Sequence, residues 1–183
     1  MEKETVQEKK GLVLIHTGNG KGKTTAALGL AARAWGDGLR ILIMQFIKGG
    51  WKYGELKTIK TLGDIDGRIE VRQCGKGFTQ RCEDKTEHCK AACEALKEAR
   101  EEMLSGKWDM IILDELNYAV KFELIEEHCV LDLIKEKPEN IHLVITGRDV
   151  RPAIADAADL VTEMHLVKHP FQKGIKAQQG IEF

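Results

Sequence analysis

The chain has 183 residues, with 28 Lys or Arg against 29 Asp or Glu, so its formal net charge at pH 7 is -1. This balance excludes a strong positive field, and neither nucleic acid nor an acidic membrane is an expected partner. The longest apolar runs are strand-length, well below the roughly 20 residues of a membrane-spanning helix. The length predicts one domain, residues 11–183, after a charged tail of residues 1–10. That tail lacks the apolar segment of a secretory signal, which predicts a cytoplasmic protein.

The predicted elements alternate between strands and helices along the chain. Short apolar runs predict strands at residues 11–16, 40–46, 68–73, 108–113, 141–146 and 160–167. The spacing of apolar residues predicts helices at residues 23–35, 54–62, 84–105, 123–135 and 151–158. Continuously apolar strands are typical of a parallel sheet that is covered on both faces. We therefore predict a three-layer α/β fold, with a mostly parallel sheet and helices on both of its faces.

A glycine-rich loop joins the first strand to the first helix. Its sequence is Thr17-Gly18-Asn19-Gly20-Lys21-Gly22-Lys23-Thr24-Thr25. Backbone N–H groups of such a loop turn toward phosphate oxygens, Lys23 adds a positive charge, and Thr24 offers a hydroxyl to Mg²⁺. The loop predicts a P-loop NTPase fold of the RecA-like type, with residues 18–25 binding a nucleoside triphosphate. Because Thr17 stands where the standard motif has its first glycine, ordinary phosphate geometry is not assumed.

A second motif lies at the end of the strand predicted over residues 108–113. There Asp114 and Glu115 follow an apolar run, as in a Walker B segment. Either carboxylate is suited to hold Mg²⁺, directly or through water, because this ion prefers oxygen ligands. The alternative is that one of them only caps the next turn. Together with the phosphate loop, these residues indicate an ATPase or a kinase.

Five cysteines raise the question of a metal or redox site. They are Cys74, Cys82, Cys89, Cys93 and Cys129. No C-x-x-C pair occurs, and Cys89 and Cys93 are spaced as neighbours on one helix face. We therefore predict that Cys89 and Cys93 are buried helix cysteines, rather than ligands of a structural zinc or cluster.

Six segments in order resemble the ATP:corrinoid adenosyltransferase family, over residues 11–183. They are Thr17 to Thr25; Gln45-Phe-Ile-Lys-Gly-Gly-Trp51 with Gly54-Glu55; Gly77-Phe78-Thr79; Leu113-Asp-Glu-Leu116; Ile145-Thr-Gly-Arg148; and Val167-Lys-His169 with Gly174-Ile-Lys-Ala-Gln178 and Gly180-Ile-Glu-Phe183. Several segments in the right order are more specific than any one of them.

The resemblance implies transfer of the 5′-deoxyadenosyl group of ATP to the Co(I) of a corrinoid, with release of triphosphate. The triphosphate would lie reversed in the loop, so that the ribose C5′ is exposed to cobalt. By the same matching, Lys23, Lys21 and the loop amides bind triphosphate, and Arg148 faces the nucleotide. Thr24 and Glu115 hold Mg²⁺, or Mn²⁺ in its place, with Asp114 nearby.

The family also implies two aromatic side chains under the corrin, which ease reduction of Co(II). Phe78 matches the first, and we expect it to pack there rather than serve as an ordinary core aromatic. The second position holds Gln80, where related sequences carry Trp, so other groups must supply the remaining shielding. A flavoprotein reductant and a homodimer are further expectations. Because only about ten residues precede the first strand, closure of the site is expected from residues 168–183 or from a partner subunit.

Two alternatives remain open at this point. One is a RecA-like ATPase or small-molecule kinase, in which Glu115 positions water or an acceptor for the γ-phosphate. The other is a corrinoid carrier or nucleotide-sensing regulator that does no chemistry, although no B12-binding His motif is present. For His16 and His142, strand packing is the expected role.

Overall fold

The structure is a computed structural model that describes residues 10–50, 53–77 and 85–182. Its centre is a six-stranded sheet in the spatial order β3-β2-β4-β5-β1-β6. The strands are β1 (Val13–Thr17), β2 (Ile41–Gln45), β3 (Ile69–Gln73), β4 (Met110–Asp114), β5 (His142–Thr146) and β6 (Leu160–Glu163). All five neighbouring pairs are parallel. The prediction of a mostly parallel sheet is therefore confirmed, and the sheet is parallel throughout.

Helices cover both faces of this sheet. They are α1 (Lys23–Gly36), α2 (Gly54–Asp66), α3 (Thr86–Leu104), α4 (Leu116–Lys121), α5 (Glu127–Glu136) and α6 (Pro152–Asp156), with a short 3-10 helix at Pro170–Lys173. Residues of α1 and α2 share one buried cluster with Ile43 and Ile112, and residues of α3 to α6 share the other with Met44 and Leu113. Successive strand residues thus face opposite layers, which confirms the three-layer arrangement. Within the described ranges, no helix is long and apolar enough to cross a membrane.

Helix α4 is absent from the prediction, and it displaces the start of α5. All of its residues from Leu116 to Val120 are buried, so the sequence shows no polar face to mark a helix. The helix predicted to begin at residue 123 begins at Glu127, because residues 122–124 close the end of α4. In particular, the N–H of Phe122 bonds to the carbonyl of Tyr118, and Glu123 adopts a left-handed φ of 60°.

The last strand is shorter than predicted. β6 ends at Glu163 instead of residue 167, and the chain then runs beside the glycine-rich loop. The N–H of Met164 donates to the carbonyl of Thr17 at 2.9 Å, and the N–H of Gly20 donates to the carbonyl of Met164 at 2.7 Å. Residues 164–166 therefore serve as a support for the loop and not as an extension of the strand.

Candidate nucleotide and metal site

A cavity of about 580 Å³ opens where the carboxyl ends of β1, β2, β4 and β5 meet. Ligands in open parallel sheets bind at this edge. Its lining comes from the glycine-rich loop, the connection from β2 to α2, the turns after β4 and β5, and the end of the chain. The lining residues are Asn19 to Thr25, Leu28, Lys48, Tyr53, Gly54, Glu55, Glu115, Arg148, Leu166, His169, Gly180, Ile181 and Glu182.

Lys23 lies inside the glycine-rich loop. It is the first residue of α1, its side chain is buried, and its Nζ donates to the carbonyls of Gly18 at 2.8 Å and Gly20 at 2.7 Å. Burial lowers the pKa of Lys23, and the Arg148 guanidinium lowers it further, against the opposing carboxylate of Glu115. The charge that the sequence predicts for phosphate binding is thus held at the start of α1, where the helix dipole also favours an anion.

Two residues of the glycine-rich loop use polar groups in hydrogen bonds within the protein. The N–H of Gly20 is taken by the Met164 carbonyl, and the side-chain Oδ1 of Asn19 accepts from the N–H of Leu166 at 3.0 Å. These two residues shape the loop by holding it to the segment after β6. Lys21, Gly22, Thr24 and Thr25 also line the cavity.

Asp114, at the end of β4, is buried and surrounded by donors. Its Oδ1 accepts from the hydroxyls of Thr24 and Thr146, each at 2.8 Å. Its Oδ2 accepts from Nε2 of Gln45 at 3.3 Å and lies 3.2 Å from the ammonium of Lys48. With 1% of its surface exposed, Asp114 does not line the cavity, and it contacts the glycine-rich loop through the hydroxyl of Thr24.

Glu115 is the carboxylate of the pair that lines the cavity. It takes a left-handed φ of 64°, and its backbone N–H donates to the Thr146 hydroxyl at 2.9 Å. Burial raises the pKa of Glu115, and the neighbouring Asp114 raises it further, while Lys48 and Lys23 oppose them. Although Glu115 occupies the N-cap position of α4, its side chain makes no cap hydrogen bond. The capping alternative therefore does not account for this carboxylate.

The donors at this edge fit a magnesium ion bound together with a triphosphate. Mg²⁺ is usually held by one or two protein oxygens and completed by phosphates and water. The Thr24 hydroxyl donates its proton to Asp114, which leaves oxygen lone pairs for a cation, and Glu115 supplies a carboxylate. Over the described part of the chain, no cluster of three or more His, Cys, Asp or Glu could hold a metal alone, and a site completed by phosphate does not need one.

Lys48 is a member of the site that the sequence did not single out. Its ammonium lies 3.6 Å from Oε1 of Glu55 and 4.6 Å from the ring centroid of Tyr53. Burial by itself lowers the pKa of Lys48, but the carboxylates of Asp114 and Glu55 outweigh burial and the pKa is raised. No local pattern marks Lys48, because its proximity to Asp114 depends on the adjacency of β2 and β4 in the sheet.

The other predicted groups either line the cavity or lie outside the described residues. Arg148, which follows β5, and Lys21 both line the cavity. So do His169, Gly180, Ile181 and Glu182, which belong to the segment expected to close the site. Phe78 and Gln80 lie outside the described residues, so the predicted shielding of the corrin stays a prediction.

None of the cysteines that the structure describes lines this cavity. Cys89 and Cys93 on α3 and Cys129 on α5 border a second cavity of about 510 Å³, and each is a free thiol. The prediction that Cys89 and Cys93 are buried helix cysteines is wrong for Cys93, which is exposed, and only partly right for Cys89, which is half-buried. Cys129 is also half-buried. Apolar spacing favours the buried face of α3, but Cys93 falls one residue beyond the buried Ala92. Cys82 lies outside the described residues.

Comparison with solved structures shows the fold. The chain aligns with a KaiC-like protein of Pyrococcus horikoshii at a TM-score of 0.57 and 16% identity, covering 87% of this chain and 75% of that one. It aligns with the flagellar accessory protein FlaH of Methanocaldococcus jannaschii at a TM-score of 0.57 and 12% identity, covering 85% and 71%. Together with the parallel sheet covered on both faces, these likenesses confirm the predicted three-layer α/β fold.

Comparison with known sequences shows the family. Residues 9–183 match the family described as ATP:corrinoid adenosyltransferase BtuR/CobO/CobP. The chain is 40% identical to a corrinoid adenosyltransferase of a Sinorhizobium species, covering 98% of this chain and 83% of the relative. It is also 40% identical to the corrinoid adenosyltransferase CobA of Salmonella typhimurium, covering 97% and 88%. The resemblance read from the sequence is thereby confirmed, and the chain belongs to the ATP:corrinoid adenosyltransferase family.

Proposed function

We propose that this chain transfers the 5′-deoxyadenosyl group of ATP to the Co(I) of a corrinoid and releases inorganic triphosphate, in the cytoplasmic biosynthesis or salvage of adenosylcobalamin. Family membership over nearly the whole chain supports the choice of this reaction. The structural observation that carries the proposal is one cavity lined by Lys23, Thr24, Glu115 and Arg148. This set can bind a metal-bound triphosphate.

The reaction requires positioning and charge neutralisation more than acid or base catalysis. The Co(I) electron pair forms a bond to C5′, and the bond from C5′ to the triphosphate oxygen breaks, so the leaving group departs as an anion. Lys23, Lys21 and the amides of residues 21–25 neutralise that charge, and Arg148 holds the nucleotide. The reaction needs no nucleophilic side chain, because cobalt itself forms the new bond to C5′. Phe78 packs under the corrin in this proposal.

The metal ion in this proposal is bound beside the triphosphate, which is the leaving group. Thr24 and Glu115 are the proposed ligands of Mg²⁺, or of Mn²⁺ in its place, and Asp114 orients Thr24 by accepting its hydroxyl proton. A bound divalent ion would add positive charge beside the triphosphate. The residues of this chain would hold the ion and keep its ligands oriented.

The remaining parts of the proposal concern partners. A homodimer is supported by exposed apolar side chains on the edge strand β6 and in the residues that follow it in sequence. They are Leu160, Val161, Val167, Phe171 and Ile181, of which Val167 is 93% exposed. Exposed apolar surface is common at interaction sites. A flavoprotein is the proposed electron donor for cobalt.

The reaction is tested by incubating the protein with ATP, Mg²⁺ and chemically reduced cobalamin or cobinamide. The expected result is a light-sensitive cobalt–carbon product together with triphosphate in equal amount. An ATPase or kinase would instead release phosphate or form ADP. If ATP binds but neither corrinoid gains an adenosyl group, the proposed function is wrong.

A further inference from the structure

Lys48 is held in the cavity by an unusually close approach of two loops. It lies in the connection from β2 to α2, where a Cβ on Gly49 would collide with the carbonyl of Gly75, and a Cβ on Gly75 would collide with the backbone of Ile47. The N–H of Gly77 donates to the Ile47 carbonyl at 2.9 Å. The backbone that carries Lys48 is therefore braced against the loop that follows β3.

The ammonium of Lys48 is the ionic partner of a buried carboxylate. Its side chain is 14% exposed, and its Nζ lies 3.2 Å from Oδ2 of Asp114, which is 1% exposed. Within the described ranges, no other cation lies within 4.0 Å of Asp114. A buried carboxylate without a cation is strongly unfavourable. The carboxylate of Glu115, the next residue, adds a second negative charge close to Asp114. Glu55 and the ring of Tyr53 hold Lys48 from its other sides.

The other carboxylate oxygen of Asp114, Oδ1, is hydrogen-bonded to the glycine-rich loop. Oδ1 accepts the hydroxyl proton of Thr24 at 2.8 Å, which turns the lone pairs of Thr24 away from Asp114. Groups that orient a metal ligand without touching the metal commonly change its affinity by about 10-fold to 100-fold when they are mutated. Without Lys48, Asp114 would rotate or recruit water, and its hold on Thr24 would loosen.

We propose that Lys48 is a positioning residue of the metal–triphosphate site: it anchors Asp114, and Asp114 in turn orients the Thr24 hydroxyl toward the magnesium ion. This inference rests on the proposed function for the identity of the metal and the nucleotide. Lys48 acts here through Asp114 and does not bind phosphate itself.

The test measures binding of a fluorescent ATP analogue while Mg²⁺ is titrated, with no corrinoid present. Lys48→Met is expected to raise the Mg²⁺ concentration needed for half-maximal enhancement by about 10-fold or more, while binding in excess EDTA weakens by a clearly smaller factor. Lys48→Arg, which retains the cation, should recover most of the loss. Lys60→Met is the matched control, because Lys60 pairs with Asp64 on the exposed face of α2, and it should behave as wild type.

A double-mutant cycle separates this role from a structural one. If Lys48 acts through Thr24, Lys48→Met should have little further effect on the Mg²⁺ requirement in a Thr24→Val background. Should Lys48→Met fail to fold, as judged by circular dichroism, Lys48→Gln keeps a hydrogen-bond donor without the charge and replaces it in every comparison.

Three results would overturn the inference. They are an unchanged Mg²⁺ requirement, an equal loss of binding in EDTA and in Mg²⁺, and an Arg variant as impaired as the Met variant. The proposed function fails separately: wild-type protein that binds the analogue with Mg²⁺ but adenosylates no corrinoid would refute that function and leave the role of Lys48 standing.

Discussion

The carbonyl of Met164 accepts the N–H of Gly20 at 2.7 Å, and this bond ties the phosphate loop to the segment that follows the edge strand β6. The two residues are far apart in sequence, so the shape of the loop depends on where the end of the sheet places residue 164. The same carbonyl also packs against Gly18, where an added Cβ would collide with it. Loop and support therefore constrain each other.

Gly18→Ala is expected to damage both stability and nucleotide binding. Gly18 has a φ of 94°, which an alanine adopts only with strain, and the added methyl group would meet Met164. Strain of this kind costs about 1–3 kcal/mol before the clash is counted. Denaturant unfolding and ATP binding measure the two effects.

Gly29→Ala is the matched control for this substitution. Gly29 lies within α1 with open space around its Cβ position, and alanine there should raise the free energy of unfolding by about 0.5–1 kcal/mol. If the two variants behave alike, the packing argument for Gly18 is wrong.

Lys23→Met is expected to lower the rate of adenosyl transfer by about 100-fold to 1000-fold, as is typical when a preorganised charge-stabilising group is removed. The reason is that Lys23 lies buried inside the loop, held by the carbonyls of Gly18 and Gly20. Lys21→Met serves as the comparison, since Lys21 lines the same cavity but is exposed. We expect the smaller loss of rate for Lys21→Met. The rate of product formation at saturating ATP measures both variants, and a larger loss for Lys21→Met would contradict the role given to Lys23.

Glu115→Gln should make the protein more stable at neutral pH while weakening its use of Mg²⁺. Burial and Asp114 raise the pKa of Glu115 above its ordinary value of 4.5. The unfolded chain then releases the proton more readily than the folded protein, so stability falls as the pH rises through 4.5 toward the folded pKa. The Gln variant lacks this loss.

Thermal melts across a pH series measure the effect of Glu115→Gln. The Tm gain of the variant should be present at pH 7, should shrink as the pH falls from the raised pKa of folded Glu115 toward 4.5, and should be lost below 4.5. A Tm gain of the same size at every pH would show that ionisation of Glu115 is not its cause.

Thr146→Val is expected to lower the free energy of unfolding by about 1–3 kcal/mol, the usual cost of leaving a buried polar partner unsatisfied. The fully buried Thr146 hydroxyl donates to Asp114 and accepts the N–H of Glu115, so valine removes both bonds at nearly constant volume. Thr146→Ser keeps the hydroxyl and should lose only about 0.8 kcal/mol for the missing methyl group. Urea unfolding measures the free energy of unfolding of both variants. An equal loss for serine and valine would show that the hydroxyl is not the cause.

The sequence by itself determined the features that are written in short, contiguous stretches. The glycine-rich loop, the five predicted helices and the apolar strands were readable because backbone preference and burial on both faces leave local patterns. The ordered segments from Thr17 to Phe183 likewise identify the family from sequence alone. The boundary of the single domain at residue 11 stays a prediction.

Only the tertiary structure decided which side chains meet. The sequence pattern does not predict helix α4, because the buried residues 116–120 leave no polar face that would mark a short helix. Thr24, Lys48 and Asp114 come from three separate segments, and they meet only because β2 and β4 are adjacent in the sheet and the loop after β1 reaches the same edge. Strand order is set by long-range packing, so no local pattern could identify Lys48 as the ionic partner of Asp114 or Met164 as the support of the phosphate loop.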